Sequence, residues 1–441
     1  MTLNREILRI AVPAVVANIA TPLLGLLDVA ISGHMGSAVY LAAIAVGGTV
    51  FNMLYWAFGF LRMGTSGMTA QAYGAGDMRH ASVLLYRALT VALVAGMAMM
   101  AFQYFVIETG LGMMDVDTAT LPAARRYVSI VIWGAPAVLV TTALTGWMLG
   151  MQDSRAGMVV SVAVNVVNIA VSVGLVYGVG MKIEGIAVGT LTAQWAGCGL
   201  ALLMAMRHKR AKVTVKAVLD GRGLLSFFNV NVYIFLRTLC LIAVSVWFTR
   251  AGAGHGTLTL AANALLMQLF ICFSYFMDGF AYAGEALAGK YSGAGDRVRF
   301  HACVKHLMAT GAILATIFTL MYWGCGEWFL SVLSDDAGVA LTAVRYLPWA
   351  VAIPVVSFAA FVWDGVFIGV TATGEMFVSI LCASAAFFIT YALTPAMGNH
   401  GLWLSFLVYL GLRGIVQSVL FLVGKKRFSM PFSLKNGKIG Q

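Results

Sequence analysis

Apolar residues dominate this chain in long blocks that short polar segments separate. Runs of 20 or more mostly apolar residues recur from one end of the sequence to the other, and about 20 such residues in a helix cross the hydrocarbon core of a bilayer. We count twelve runs with short connections, as in a bundle of antiparallel helices. The pattern predicts an all-α polytopic membrane protein with twelve transmembrane helices.

The longest polar break follows the sixth run and reads RHKRAKVTVKAVLDGRG, at residues 207–223. It leaves six predicted helices on each side. We therefore predict an N-terminal lobe at residues 1–206, a cytoplasmic linker at 207–224, a C-terminal lobe at 225–424 and a basic cytoplasmic tail at 425–441.

The two halves repeat one another at an offset of 219 residues, as from Asp77 to Asp296. FGFLRMGTSGMTAQAYGAGD at 58–77 matches MDGFAYAGEALAGKYSGAGD at 277–296, and TGWMLG at 145–150 matches DGVFIG. Because six is an even number, both copies keep one orientation in the membrane. We expect two pseudo-symmetric six-helix lobes, with a substrate site between the halves near mid-membrane.

Composition supports the membrane assignment and explains the basic charge. The 441 residues are 61% hydrophobic and 10% charged, with a mean hydropathy of +0.90, whereas about 25% of the residues in soluble domains are charged. With the N-terminus inside, twenty of the 28 Lys and Arg residues fall on the cytoplasmic side and five outside. This positive-inside bias puts both termini in the cytoplasm, and the net charge of +11 needs no nucleic-acid partner.

Signals for enzyme chemistry are absent from the sequence. The six cysteines have no regular spacing and the seven histidines are dispersed. The motifs G-x-x-x-x-G-K-[ST], H-E-x-x-H and G-x-S-x-G do not occur. We therefore predict no enzymatic activity, no catalytic or metal site, and no cofactor.

Ionisable residues inside the predicted spans are the candidates for function, because each costs about 2.5–3.5 kcal/mol at a helix centre. The first half has Asp28 and Arg62. Burial disfavours the charged form, so Asp28 is suited to exchange a proton as its access to water changes. A permanent ion pair with Arg62 is the alternative, and both can occur in different states. Pro13 and Pro22 interrupt the same helix and either let it bend or are architectural.

Polar residues also line one face of the fifth span. Asn165, Asn168 and Ser172 are spaced by three and four residues and so share a face, and the sixth span adds Thr190. Hydrogen bonds between helices and an ion-lined pocket both account for this pattern, and the residues alone leave the choice open.

The second half has its own set of charges within the spans. Asp278 and Glu285 are seven residues apart and share a face of the eighth span, whereas Arg237, Asp364 and Arg413 lie in three other spans. A structural salt-bridge network competes with a cation-attracting cavity wall. For Arg237 we prefer a structural pairing with one of the acids, and the role of Asp364 stays open.

Taken together, these segments resemble the DinF-like branch of the multidrug and toxic compound extrusion (MATE) transporters. The resemblance rests on the repeated segments ending in GAGD, on FLRTLC at 235–240 and on FVWDGVFIG at 361–369, and it covers essentially the whole chain. It implies the MATE/MOP-type fold and a proton- or sodium-driven antiporter in a bacterial-type inner membrane. Such a protein expels amphipathic, often cationic small molecules by alternating access between two lobes within the membrane lipid.

The resemblance also assigns roles to single residues. Asp28 matches the coupling acid of the first helix, Asn168 and Thr190 match the N-lobe pocket, and Pro13 matches the proline about which that helix is proposed to bend. Many relatives have an aspartate where this chain has Ser172. A hard cation is best held by charged oxygen ligands, so the missing carboxylate favours proton coupling over sodium.

Two other functions remain as alternatives. A lipid-linked saccharide or lipid flippase of the same superfamily would need a cationic cavity for pyrophosphate, whereas the buried charges here are mostly acidic. A receptor or scaffold without transport activity would show no ion-dependent flux.

Overall fold

The computed structural model describes residues 2–33, 38–114, 116–208, 211–334 and 336–428, which are almost entirely helical. Within these residues, eleven helices are long and apolar enough to cross a membrane, and Leu3–Gly33 is a further helix of 31 residues. The predicted all-α fold class is confirmed. Residues 429–441, most of the predicted tail, lie outside the described part of the chain, as do Lys209 and Arg210 of the linker.

Among its described residues, the first half forms nine α-helices. They are α1 (Leu3–Gly33), α2 (Ala38–Ala57), α3 (Phe60–Gly74), α4 (Met78–Ala101), α5 (Gln103–Gly112), α6 (Leu121–Val131), α7 (Ala135–Gly150), α8 (Ser154–Val173) and α9 (Ile183–Met206). Two spans are composite, because α2 and α3 together make Val39–Gly74, and α6 and α7 together make Leu121–Gly150.

The second half has longer, mostly uninterrupted helices. After the short α10 (Val215–Val218) come α11 (Gly221–Ala253), α12 (Thr257–Gly293), α13 (Arg297–Leu333), α14 (Ala337–Gly369), α15 (Thr373–Leu393) and α16 (Asn399–Phe428).

The sequence repeat builds the same turn in both halves. In the two GAGD segments, Gly76 has a φ of +73° and Gly295 a φ of +70°, a conformation that costs glycine little. Asp77 and Asp296 then cap α4 and α13 by accepting a hydrogen bond from the backbone N–H three residues on, at 2.8 and 2.9 Å. The shared sequence therefore has a shared structural cause.

The repeat also builds the same helix crossing in both halves. A Cβ at Gly146 of α7 would lie 2.5 Å from the carbonyl oxygen of Arg62 in α3, and one at Gly365 of α14 would lie 2.1 Å from that of Ala281 in α12. Backbone atoms cannot move aside, and small residues let membrane helices approach this closely. The second crossing positions Asp364, the neighbour of Gly365, in the buried interior.

The chain forms two compact units. The C unit contains Met1–Val15, Gly74–Gly76 and Asn229–Gln441, and the N unit contains Val16–Tyr73 and Asp77–Phe228. The first part of α1 thus groups with the helices of the second half, whereas the predicted N-terminal lobe included all of α1.

The described part of the linker packs on α4 of the N unit. Arg87 of α4 is buried and donates hydrogen bonds from Nε to the carbonyl of Val218 and from Nη2 to that of Ala217, both at 2.9 Å. These carbonyls end α10, so the guanidinium caps it. Ser82 also accepts a hydrogen bond from the N–H of Ala211 at 3.0 Å.

Candidate functional site

A buried carboxylate near the end of α1 joins three helices of the N unit. Asp28 is 3% exposed, and its Oδ2 accepts a hydrogen bond from Oγ1 of Thr190 in α9 at 3.0 Å. Oγ1 of Thr190 in turn accepts a hydrogen bond from Nδ2 of Asn168 in α8 at 3.1 Å. Three of the residues singled out from the sequence therefore form one chain of hydrogen bonds.

The atoms around this chain are rich in unsatisfied oxygens. Within the described residues, Oδ1 of Asp28, Oδ1 of Asn168 and Oγ of Ser172 are buried without a hydrogen-bond partner. The Ser172 hydroxyl faces Gly189, where a Cβ would lie only 2.0 Å from it. Buried polar atoms normally have partners, so this set of oxygens suits a proton or a small cation.

Asn165, predicted for the same site, has a different set of contacts. Its Nδ2 donates hydrogen bonds to the carbonyls of Ala20 and Ser161, both at 2.9 Å. The first contact holds the main chain of α1 close to Pro22, which lacks a backbone donor. Asn165 therefore positions α1. The helix runs without a break through Pro13 and Pro22, and bending at these residues stays a prediction.

Tyr127 of α6 is a site residue that the sequence analysis did not single out for function. It is buried beside Thr190 and Asp28, and Gly47 leaves room for its ring, since a Cβ there would lie 2.5 Å from it. The available signal was the match of Arg126-Tyr127 with the same dipeptide in the second half. The pairing of Arg62 with Asp28 stays a prediction.

A second buried carboxylate lies in the C unit, in opposite surroundings. Oδ2 of Asp364 in α14 accepts hydrogen bonds from Nη2 of Arg237 in α11 and from Nη2 of Arg413 in α16. Its Oδ1 accepts from Nε2 of Gln417, also in α16, at 2.7 Å. All four side chains are buried, and two guanidinium groups around one carboxylate give the group a net positive charge.

This cluster gives Asp364 the role that the sequence left open, as the acid that pairs with Arg237. Within the cluster two arginines face one acid, whereas Asp278 and Glu285 bring the second half to three acids against these two arginines. Gln417 was not singled out, although its spacing of four from Arg413 places both on one face of α16. The missing information was which helices are neighbours.

The two remaining acids of this half lie on α12. Glu285 is buried and Asp278 is partly buried. The carboxylate of Asp278 is close enough to Arg413 for an electrostatic interaction with its guanidinium group. The backbone of Glu285 faces Gly369 at the helix crossing, where a Cβ would lie 2.5 Å from its carbonyl oxygen. Functions for these two carboxylates stay predictions.

In the described part of the chain, twelve long apolar segments form two internally repeated halves, each with at least one buried carboxylate, and together they define a polytopic membrane transporter. The family model named MatE matches residues 13–173 and 232–398, which is most of the chain. The chain belongs to the MatE family.

Similar proteins agree with this membership. DNA damage-inducible protein F of Escherichia coli (strain K12) is 37% identical over 95% of this chain and 92% of its own length. The probable multidrug resistance protein NorM of Caulobacter vibrioides is 26% identical over 94% of this chain and 88% of its own length. The family resemblance is confirmed, and the chain is an efflux transporter rather than an enzyme.

The fold also matches solved structures. One described as the outward-facing conformation of a multidrug resistance MATE family transporter of the MOP superfamily has a TM-score of 0.85, covering 97% of this chain and 96% of that one at 16% identity. At this identity the match concerns the fold, and it confirms the MATE/MOP-type architecture expected from the sequence.

Proposed function

We propose that this chain exports amphipathic, often cationic small molecules in exchange for protons, with Asp28 as the group that carries the proton. The observation that carries the proposal is the hydrogen-bond chain from Asp28 through Thr190 to Asn168. It connects Asp28, an acid that can gain or lose a proton, with Thr190 and Asn168. Both lie more than 100 residues further along the chain. Protonation at one atom therefore acts on the packing of α1, α8 and α9.

Thr190 provides the link between charge and packing. Its hydroxyl lies 3.0 Å from Oδ2 of Asp28 and 3.1 Å from the carbonyl of Ile186, and it has one proton to donate. The charged carboxylate is the stronger acceptor. When Asp28 takes up a proton, we expect the hydroxyl to turn to Ile186, which loosens the contact between α1 and α9.

This loosening sets the order of transport. Open to the outside, Asp28 takes up a proton, the polar network of the N unit weakens and the bound compound leaves. Open to the cytoplasm, Asp28 releases the proton and the next compound binds. One charge moving through the membrane potential supplies about 2.3 kcal/mol per 100 mV.

The division of α1 between the units supports coupling to a larger movement. In the C unit, Oη of Tyr291 donates a hydrogen bond to Oε2 of Glu6 at 2.6 Å, and Nζ of Lys290 lies 3.6 Å from the same oxygen. In the N unit, the later part of the same helix carries Asp28. We expect a change at Asp28 to alter the tension on this one continuous helix, and thereby the alternation between the two lobes.

Sodium is the competing coupling ion. Ser172 occupies the place where a second carboxylate would strengthen binding of a hard cation, which supports the proton. The distribution of Lys and Arg supports a bacterial-type inner membrane location with both termini in the cytoplasm.

Dye efflux from proteoliposomes tests the proposal, with proton and sodium gradients imposed separately on a fluorescent organic cation. We expect the proton gradient to drive efflux and Asp28→Asn to abolish it. Asp117→Asn, in the loop before α6, is the matched control and should behave as the wild type. If Asp28→Asn leaves proton-driven efflux unchanged, the mechanism is wrong. If only the sodium gradient drives efflux, the coupling ion is sodium.

The flippase alternative gains one specific observation, the net positive cluster of Arg237 and Arg413. Each arginine, however, already donates to Asp364, which leaves less charge for a pyrophosphate. A flippase would move a fluorescent lipid-linked saccharide between leaflets of the same vesicles without an imposed ion gradient. We expect no such movement.

A further inference from the structure

The ion-pair cluster of the C unit has more hydrogen-bond donors than its own acid satisfies. Nε of Arg237, Nε of Arg413 and Oη of Tyr409 are buried and have no hydrogen-bond partner among the described residues, and the same holds for Oε1 of Gln417. Three of these four atoms carry a proton to donate. Buried donors of this kind are suited to bind acceptor oxygens.

The charges of the cluster favour an anionic acceptor. Arg237 and Arg413 share the single carboxylate of Asp364, which occupies one nitrogen of each guanidinium. The partly buried Asp278 also acts on Arg413. With both acids counted, the carboxylates do not outnumber the arginines. The carboxylate of a ligand is therefore not repelled by the net charge of the cluster, and it would lie next to two guanidinium groups.

Aromatic rings surround these donors. The guanidinium carbon of Arg413 lies 5.8 Å from the ring centre of Phe361. The ring of Tyr409 stacks on Phe406 at 6.1 Å and meets Phe387 at 6.4 Å. These buried rings lie next to the donors, and such surroundings match a ligand with an apolar ring and an acidic group.

We propose that the C unit binds the carboxylate of an amphipathic organic acid through Arg237, Arg413 and Tyr409. The exported compounds would then include organic anions or zwitterions as well as cations. This claim about export rests on the proposed efflux function, whereas the binding itself does not. Asp364 holds both guanidinium groups in place for the incoming acid.

Binding to the purified full-length protein in detergent tests this site, with benzoate as the probe at constant pH and ionic strength. We expect benzoate to raise the melting temperature and to give a measurable heat of binding. Benzylammonium has a similar size and the opposite charge, so its binding should not respond to substitutions in this cluster. Chloride at the same concentration serves as the inorganic comparison.

Tyr409→Phe removes one of the donors without breaking an ion pair. We expect benzoate to bind about tenfold more weakly, because a hydrogen bond to a charged group is lost. Tyr322→Phe is the matched control. Tyr322 is also buried in the C unit, but its Oη already donates to the carbonyl of Leu269 at 2.7 Å, so benzoate binding should not change.

Arg413→Gln is the second variant, because it keeps the pair of Arg237 with Asp364 and removes the second guanidinium group. We expect it to lose benzoate binding. The proposal is overturned if both variants fold and bind benzoate as the wild type does, or if chloride stabilises the protein as much as benzoate. The measurement uses no gradient, so a failure of proton-driven efflux would leave its outcome intact.

Discussion

Asp28 in the N unit and Asp364 in the C unit are both buried carboxylates, and their surroundings are opposite. Asp28 accepts a hydrogen bond from the hydroxyl of Thr190, and unsatisfied oxygens lie around it. Asp364 lies between the guanidinium groups of Arg237 and Arg413, and mainly unsatisfied donors lie around it. Neutralising the first changes one hydrogen bond. Neutralising the second leaves two buried cations without their counter-charge, which is far more costly.

The repeat makes this difference more informative. At the offset of 219 residues, Asp28 corresponds to Trp247 and Asp364 to Thr145, so neither acid is duplicated. The turns at Gly76 and Gly295 and the glycine crossings are duplicated. Backbone geometry has therefore been kept in both halves, while the buried charges have diverged toward different tasks.

The stability of the two acid-to-amide variants should separate these roles most strongly. We expect Asp364→Asn to lower the free energy of unfolding by about 3–5 kcal/mol, because it leaves buried charges unpaired. Asp28→Asn should change it by less than about 1 kcal/mol, since an amide oxygen still accepts from Thr190. Thermal melts of both variants in one detergent measure the difference. Equal losses would contradict the comparison.

Thr190→Val should show that the hydroxyl beside Asp28 matters for coupling. Without it the carboxylate loses its donor, and we expect proton-driven efflux to fall about tenfold, as for a lost hydrogen bond to a charged group. Thr192→Val, two residues on, is the control, because that exposed hydroxyl donates to the carbonyl of Val188 in its own helix. Similar efflux from both variants would remove Thr190 from the mechanism.

The sequence predicted the fold well because the bilayer restricts it. A spanning segment must satisfy its backbone hydrogen bonds internally, so each apolar run implies a helix, and the repeat implies its partner in the other half. The same reasoning did not reach the cluster of Asp364. Arg237 and Asp364 are 127 residues apart, and nothing in a single sequence says that their side chains meet.

The site of Asp28 was predicted for a different reason. Spacing placed Asn168 and Ser172 on one face of a helix, but it did not decide between hydrogen bonds that join helices and an ion-lined pocket. The family resemblance, and not the periodicity, joined them to Asp28 and Thr190. It did not bring in Tyr127, because the one signal at this residue, the repeat of Arg126-Tyr127 in the second half, does not indicate a function.

Ser172→Asp should make the Asp28 site resemble a sodium site. A second carboxylate beside the unsatisfied oxygens supplies the charged ligand that a hard cation prefers. We expect sodium to raise the melting temperature of this variant and to stimulate its efflux about threefold, because one further charged oxygen ligand would contact the ion. Ser172→Asn adds similar bulk without charge and should show no sodium effect. A sodium response in both variants would mean that volume, and not charge, is responsible.

Asp153, in the turn between α7 and α8, extends the comparison to a carboxylate outside the spans and should show the smallest effect. The matching turn of the second half has Ala372 instead. Oδ2 of Asp153 lies 3.1 Å from Nε2 of His208, and Oδ1 accepts from the N–H of Ala156 at 3.2 Å. The hydrogen bond with His208 holds the pKa of Asp153 below its usual value of 3.8.

A lowered pKa in the folded state means that the charge of Asp153 stabilises the protein above pH 3.8 and that this contribution is lost as the pH falls through the lower folded value. Asp153→Asn keeps a residue that caps a helix equally well and removes only the charge. Because the pair is partly exposed, we expect a loss below about 1 kcal/mol. Melting temperatures of variant and wild type should differ most at about pH 5, and the difference should shrink as the pH is lowered from there to well below 3.8. A difference that stays constant over this pH range would show that the charge of Asp153 contributes nothing to stability.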